Sequence, residues 1–105
     1  MSESEFIKAA GLKEVPPGKM YRAELHGKAI LLANVNGTVY AVDDMCSHED
    51  ASLYLGALKG DCVKCPLHGS RFDLKTGEPL DDPADESIRT YEVKLSGEDI
   101  LVNVN

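Results

Sequence analysis

Residues 46–68 read CSHEDASLYLGALKGDCVKCPLH, and this stretch begins and ends with a pair of metal-ligating residue types. Cys46 and His48 form the first pair, and Cys65 and His68 form the second. The chain has three cysteines and three histidines, so two of each lie in these two short motifs. Thiolate and imidazole are ligands of zinc and of iron–sulfur centres. The sequence therefore predicts a metal centre that is held by two loops.

Two kinds of metal centre are compatible with this set of residues. A mononuclear Zn²⁺ site accepts two Cys and two His in a tetrahedron, although the Cys-X-His spacing is tight for one ion bound by one loop. A binuclear centre relaxes that constraint, because the cysteines can share one iron and the histidines the other. A Rieske-type [2Fe–2S] centre has this ligand set.

Length and composition are those of one ordinary globular domain. The chain has 105 residues, of which 43% are hydrophobic and 28% are charged. The formal net charge of −7 argues against nucleic acid or an anionic membrane as partner, and favours a basic protein surface. We see no signal peptide and no apolar stretch of about 18 residues for a membrane span. We therefore expect a cytoplasmic protein, and a monomer, whose odd number of cysteines is not a disulfide framework.

The β-strand signals lie on both sides of a central segment. Residues 29–42 contain two β-rich runs that meet at Asn36-Gly37, the strongest two-residue hairpin signal. Residues 90–104 contain an alternating run, a turn and a returning run, which predicts a second hairpin. A further strand is expected over residues 20–25 and a tight turn at His26-Gly27.

The central segment, residues 43–87, has a different character. It holds both ligand pairs, four of the nine glycines and three of the five prolines. Only one short helix, within residues 47–57, is expected there. A loop-rich segment of this length needs more than an apolar core to order it. A bound metal centre would supply that order, because its binding free energy becomes folding free energy.

Residues 45–84 resemble the cluster-binding segment of Rieske proteins, and the whole chain resembles the small Rieske ferredoxins of bacterial aromatic-ring-hydroxylating dioxygenase systems. The resemblance includes the flanking strands and the total length. The matching motifs are Cys-Pro-X-His-Gly from Cys65, Phe72-Asp73, the turn at Thr76-Gly77 and the loop at Pro83-Ala84.

The resemblance implies an all-β Rieske fold in a single domain over residues 1–105. Residues 1–42 and 88–105 would form a basal antiparallel β-sandwich, and residues 43–87 an inserted, loop-rich cluster-binding subdomain. The implied cofactor is one [2Fe–2S] cluster. Its implied ligands are Cys46 and Cys65 on one iron and His48 and His68 on the other.

Other positions carry further implications of the resemblance. Pro83 would lie in a third loop that covers the cluster. Two hydroxyl donors tune the potential of high-potential relatives, and the matching positions here are Ser70 and Phe72, so one donor is kept and the other is lost. Respiratory relatives also carry a disulfide beside the cluster, and the matching positions here are Ala51 and Leu67. By this resemblance, the absence of that disulfide indicates the low-potential, cytoplasmic branch of the family.

The implied function is that of a one-electron carrier and not of an enzyme. It would pass electrons from a flavin-dependent NAD(P)H reductase to a terminal Rieske non-haem iron oxygenase. A complete oxygenase also needs a mononuclear iron, usually held by two His and one carboxylate, and only His26 remains for it. The alternatives are a structural zinc module and the small Rieske-like subunit of a nitrite reductase or another redox complex.

Two features outside the ligand set are open to interpretation. Cys62 could form a Cys-X-X-Cys pair with Cys65, but with Cys65 on iron we expect Cys62 to be a small buried apolar residue. The acidic excess is either ordinary solubility or a docking surface. Acidic pairs at residues 49–50 and 81–82 lie beside the cluster loops, which supports the second interpretation.

Overall fold

The computed structural model describes residues 6–47, 50–67, 69–81 and 84–104. These residues form nine β-strands in two antiparallel sheets, together with two short 3-10 helices. The strands are β1 (Phe6–Gly11), β2 (Met20–Leu25), β3 (Lys28–Val35), β4 (Thr38–Asp43), β5 (Ala57–Lys59), β6 (Cys62–Lys64), β7 (Arg71–Asp73), β8 (Thr90–Ser96) and β9 (Asp99–Asn103), and the 3-10 helices are Leu12–Glu14 and Leu53–Leu55.

The larger sheet has the order β1-β9-β8-β4-β3-β2. Its two three-stranded halves are joined by only two residue pairs, Ala41 with Tyr91 and Val42 with Thr90. Both halves contribute side chains to one buried apolar cluster, which includes Ile30 from β3 and Ile100 from β9. The two halves therefore pack against each other, and the predicted all-β fold with a basal antiparallel β-sandwich is confirmed.

Strand β3 is buried on both faces. Its side chains alternate between two apolar clusters, with Ile30 in the basal cluster and Leu31 in a second cluster that also contains Cys46 and Cys65. A strand that is covered on both faces reads as a continuous apolar run, as AILLA over residues 29–33 does here. This strand therefore joins the basal core to the part of the chain that carries the cysteines.

The hairpins that the sequence predicts are present. Asn36 and Gly37 have φ values of 53° and 97°, which are required at both central positions of a type I′ turn, and they join β3 to β4. His26 and Gly27 have φ values of 51° and 78° and join β2 to β3 in the same way. The C-terminal hairpin of β8 and β9 turns at Gly97, where φ is 61°.

The segment over residues 43–87 is more regular than the sequence predicts. Strands β5, β6 and β7 form a three-stranded sheet within it. Each of these strands has three residues, which is too short for an alternating pattern to be recognised. The short helix expected within residues 47–57 is the single 3-10 turn Leu53–Leu55. Across the described ranges, no helix has the length and apolar character that a membrane crossing requires.

Candidate metal centre

Cys46 lies in a closed loop that follows β4. The backbone N–H of Cys46 donates to the carbonyl of Ala51 at 2.9 Å, and Met45 forms an isolated β-bridge with Ser52. The two ends of the loop are thereby held side by side. The Cys46 side chain is buried, with 3% of the residue exposed, so the base of the loop directs this thiol into the core.

Cys65 lies in the loop of the β6–β7 hairpin. Its N–H donates to the carbonyl of Ser70 at 2.8 Å, and the N–H of Gly69 donates to the carbonyl of Cys65 at 3.1 Å. Gly69 has a φ of 77°, a conformation that favours glycine, so the loop turns tightly enough for these bonds to form. Cys65 is also buried, with 2% of the residue exposed.

The structure brings these two thiols into one buried cluster of side chains. Neither cysteine is in a disulfide. The chain that follows the first loop comes into close backbone contact at Gly56, because a Cβ at this position would lie 1.8 Å from the carbonyl oxygen of Lys64, the residue before Cys65. Only glycine permits the chain after the first loop to pass so close to the strand that leads into the second.

Three of the residues singled out from the sequence, His48, His68 and Pro83, lie outside the described residues. Within the described ranges, no group of three or more His, Cys, Asp or Glu side chains is placed to hold a metal ion. The described part of the site is thus the pair of buried thiols. Two unlinked thiols delivered by separate loops suit one iron of a binuclear cluster, since iron–sulfur clusters are held by thiolates. The complete ligand set stays a prediction.

Asp44 is a buried carboxylate beside the first loop, and nothing in the sequence distinguishes it from its neighbour Asp43. Asp44 is 2% exposed, and its carboxylate accepts bonds from the Arg22 side chain at 3.0 Å and from the Tyr54 backbone N–H at 2.9 Å. The hydroxyl of Ser52 also donates to it. Because a buried carboxylate requires such partners, Asp44 fixes the base of the Cys46 loop to β2 and to the following 3-10 turn.

The two positions that the resemblance links to tuning of the potential are both buried. Ser70 directly precedes β7, and its Oγ accepts a bond from the N–H of Ala84 at 3.2 Å. Phe72 has no exposed surface and packs in the same cluster as Cys46 and Cys65. Both side chains are therefore close to the core of the candidate site.

The prediction that Cys62 is a buried apolar residue is wrong. Cys62 is half-buried, because it alternates along β6 with the fully buried Val63 and faces the other side of the small sheet. Its thiol donates to Asp61 at 3.6 Å. Desolvation, followed by this hydrogen bond, raises the pKa of the Cys62 thiol above its ordinary value. Cys62 is thus separate from the buried pair and stays protonated at neutral pH.

The surface around the two cysteine loops is more apolar than the sequence suggests. Of the six large hydrophobic residues that are well exposed in the described chain, five lie in this region: Met45, Tyr54, Leu55, Leu67 and Leu80. Asp81, one of the acidic residues considered for docking, is paired with Arg71 at 2.7 Å. The Arg71 hydrogen bond holds the pKa of Asp81 below its ordinary value. The charge of this carboxylate is therefore locally compensated.

Comparisons with known proteins agree with this geometry. Residues 5–92 match the profile of the Rieske [2Fe-2S] domain. The chain is 37% identical over 101 residues to the ferredoxin component of the naphthalene 1,2-dioxygenase system of Pseudomonas aeruginosa, covering 96% of this chain and 97% of that protein.

Solved structures of similar proteins share the fold. The ferredoxin of carbazole 1,9a-dioxygenase from Nocardioides aromaticivorans IC177 is 32% identical, with a TM-score of 0.92 and coverage of 97% of this chain and 100% of that chain. A structure described as a complex of reduced oxygenase and oxidized ferredoxin in carbazole 1,9a-dioxygenase is 29% identical, with a TM-score of 0.89 and coverage of 96% and 94%. The cofactor is accordingly one [2Fe–2S] cluster, and the chain belongs to the Rieske [2Fe–2S] domain family.

Proposed function

We propose that this protein is a one-electron carrier that delivers electrons to the terminal oxygenase of a dioxygenase system. The observation that carries the proposal is the pair of buried, unlinked thiols that two separate loops bring into one core cluster. Relatives of nearly the same length are named as ferredoxin components, which supports a carrier over a complete oxygenase and over a nitrite reductase subunit.

The proposed ligands are Cys46 and Cys65 on one iron and His48 and His68 on the other. When bound, the cluster supplies one-electron redox chemistry. The role of the chain is to hold the ligands rigidly, so that little rearrangement accompanies a change of charge. The closed bases of the two cysteine loops and the buried Asp44 support such rigidity.

We propose that residues 43–87 form the cluster-binding part of a single domain over residues 1–105, and that residues 1–42 and 88–105 form its base. Pro83 is assigned to a third loop next to the cluster. We also place the protein in the cytoplasm, where thiols stay reduced, and the three unlinked cysteines support this location.

The proposed partners are a flavin-dependent NAD(P)H reductase as donor and the terminal oxygenase as acceptor. Both would bind transiently, and the chain would work as a monomer. The apolar residues around the cysteine loops, such as Leu67 with 58% of its surface exposed, offer a contact area that a partner can desolvate. The net charge of −7 would add long-range attraction toward a basic docking surface.

Electron paramagnetic resonance of the dithionite-reduced protein tests the ligand assignment. We expect a Rieske-type signal in the wild-type protein, its loss in His68→Ala and its retention in Cys62→Ser. The Cys62→Ser variant is the matched control, because Cys62 is half-buried and lies apart from the buried pair. Loss of the signal in that variant would mean that the ligand set is wrong.

Electron delivery is tested by reconstitution. A purified dioxygenase system from which the ferredoxin has been omitted should regain NADH-dependent oxygenation when this protein is added. The His68→Ala variant should not restore it. Full activity of that variant would contradict a carrier role for the cluster.

A further inference from the structure

Asp81 and residues 84–86, together called the bridging segment below, contact both cysteine loops. Their partners are Ser47, which directly follows Cys46, and Ser70 and Arg71, at the end of the second loop. A segment that is bonded to both loops can fix the distance between them.

The contact with the first loop is made by Ser47, the residue between Cys46 and His48. Its hydroxyl donates to the carbonyl oxygen of Glu86 at 2.5 Å. The two residues are 39 positions apart in the chain, so this bond links the first loop to a distant segment. It does not contribute to the closure of the loop, which the Cys46–Ala51 bond provides.

The contacts with the second loop are made by Ser70 and Arg71, where the loop enters β7. Ser70 Oγ accepts a bond from the N–H of Ala84 at 3.2 Å. Arg71 binds both carboxylate oxygens of Asp81, with Nε to Oδ2 at 2.7 Å and Nη2 to Oδ1 at 3.2 Å. The backbone N–H of Arg71 also donates to Asp81 Oδ2, at 3.2 Å. A bidentate pair of this kind fixes orientation as well as distance.

Between these contacts, the bridging segment enters the core beside the thiols. Ala84 is buried, and it belongs to the same cluster of side chains as Cys46 and Cys65. Displacement of the segment would therefore open this cluster to water. Solvent access around a metal site changes its redox potential.

We propose that the bridging segment sets the relative position of the two cysteine loops, and that Ser47, Arg71 and Asp81 are positioning residues for the cluster. The proposal rests on the proposed function, because it concerns the site that would hold the cluster. None of the three side chains needs to touch a ligand atom. They act by keeping the segment in place over the core that contains both thiols.

The first test measures how fast a chelator removes iron from the purified holoprotein. Arg71→Ala and Asp81→Ala should each accelerate release by about two- to fivefold, the range that corresponds to loss of one exposed ion pair. The double variant should release iron no faster than the faster single variant, because both remove the same contact. The matched controls are Lys8→Ala and Asp99→Ala, which break an ion pair of 3.3 Å in the basal sheet. Release at the wild-type rate, or equal acceleration in the controls, would overturn the proposal.

The second test uses the sign of the change in reduction potential. The oxidised cluster with two thiolates is neutral, and reduction gives it one negative charge. Water stabilises the charged form, so displacement of the segment should raise the potential in Arg71→Ala and in Asp81→Ala. A purely electrostatic role predicts opposite signs, because loss of a cation lowers the potential and loss of an anion raises it. A lower potential in Arg71→Ala would therefore overturn the proposal.

The neutral variant Ser47→Ala removes the contact with the first loop without changing a charge. It should also raise the potential and accelerate iron release. Hydrogen exchange gives a readout that does not depend on redox chemistry, since the Ala84 amide should exchange faster in Arg71→Ala than in Lys8→Ala. A wild-type protein without a Rieske signal would refute the proposed function itself. Variants that match the wild type in release, potential and exchange would refute only the role of the bridging segment.

Discussion

The substitution Phe72→Tyr would place a hydroxyl in the buried cluster that contains both thiols. Phe72 has no exposed surface, and it pairs with Val63 in the small sheet. The buried members of this cluster are apolar apart from the two cysteine thiols. The new hydroxyl therefore either donates to sulfur at the metal site or stays out of reach of it, bonded elsewhere or without a partner.

The size of the effect follows from these two outcomes. A donor stabilises the reduced cluster more than the oxidised one, because the reduced cluster carries one more negative charge. A difference of about 1 kcal/mol corresponds to a potential that is higher by roughly 40 mV, since 59 mV is a tenfold change in a one-electron equilibrium. A hydroxyl without a partner would leave the potential unchanged and would cost about 1–3 kcal/mol of stability.

Protein-film voltammetry and the midpoint of denaturant unfolding, measured on the same preparation, distinguish these outcomes. The matched control is Phe6→Tyr, which changes the other of the two phenylalanines, in β1 of the basal sheet. We expect a higher potential in Phe72→Tyr and no change in Phe6→Tyr. An unchanged potential with reduced stability would refute the reasoning that residue 72 lies within reach of the cluster sulfur atoms.

Three further predictions concern tuning, pH and salt. Ser70→Ala should lower the potential, because it removes a buried hydroxyl donor while the bridging segment keeps its contacts with Ser47 and Arg71. Voltammetry that shows an unchanged or higher potential would exclude a dominant donor role. Desolvation, and then the 2.6 Å bond to Asp43, raises the pKa of Tyr91 to about 12. This pKa lies above the ordinary value near 10, so the bond should stabilise the fold below pH 10, and this stabilisation should be lost as the pH rises toward 12. Chemical unfolding should show the loss of stability in the wild type and a weaker loss in Tyr91→Phe. Electron transfer to a basic partner should slow between low salt and about 0.5 M salt, where the Debye length falls to roughly 4 Å. A stopped-flow rate that does not respond to salt would mean that the acidic excess serves only solubility.

The hairpins and the thiol pair could be predicted because their signals are local. Asn36-Gly37 specifies a type I′ turn by the φ angles of two adjacent residues, and the structure has the turn at that place. Cys46 and Cys65 were identified from short motifs, and both are buried together. The strands β5 to β7 gave no such signal, because three residues cannot display a period. The exposure of Cys62 could not be predicted for the same reason. The register within that short sheet decides which face of the sheet the Cys62 side chain lies on.

The sequence by itself determined the hairpins that turn at glycine and the residue types available to a metal centre, because each depends on neighbours in the chain. The fold class followed from its resemblance to a known family. Only the tertiary structure decided which polar groups support that centre. Asp43 and Asp44 are adjacent carboxylates, yet one accepts a bond from Tyr91 and the other is buried against Arg22. The bonds that join the bridging segment to the two loops connect residues 39, 14 and 10 positions apart. Such contacts exist only once the strands have packed, so no local pattern in the sequence records them.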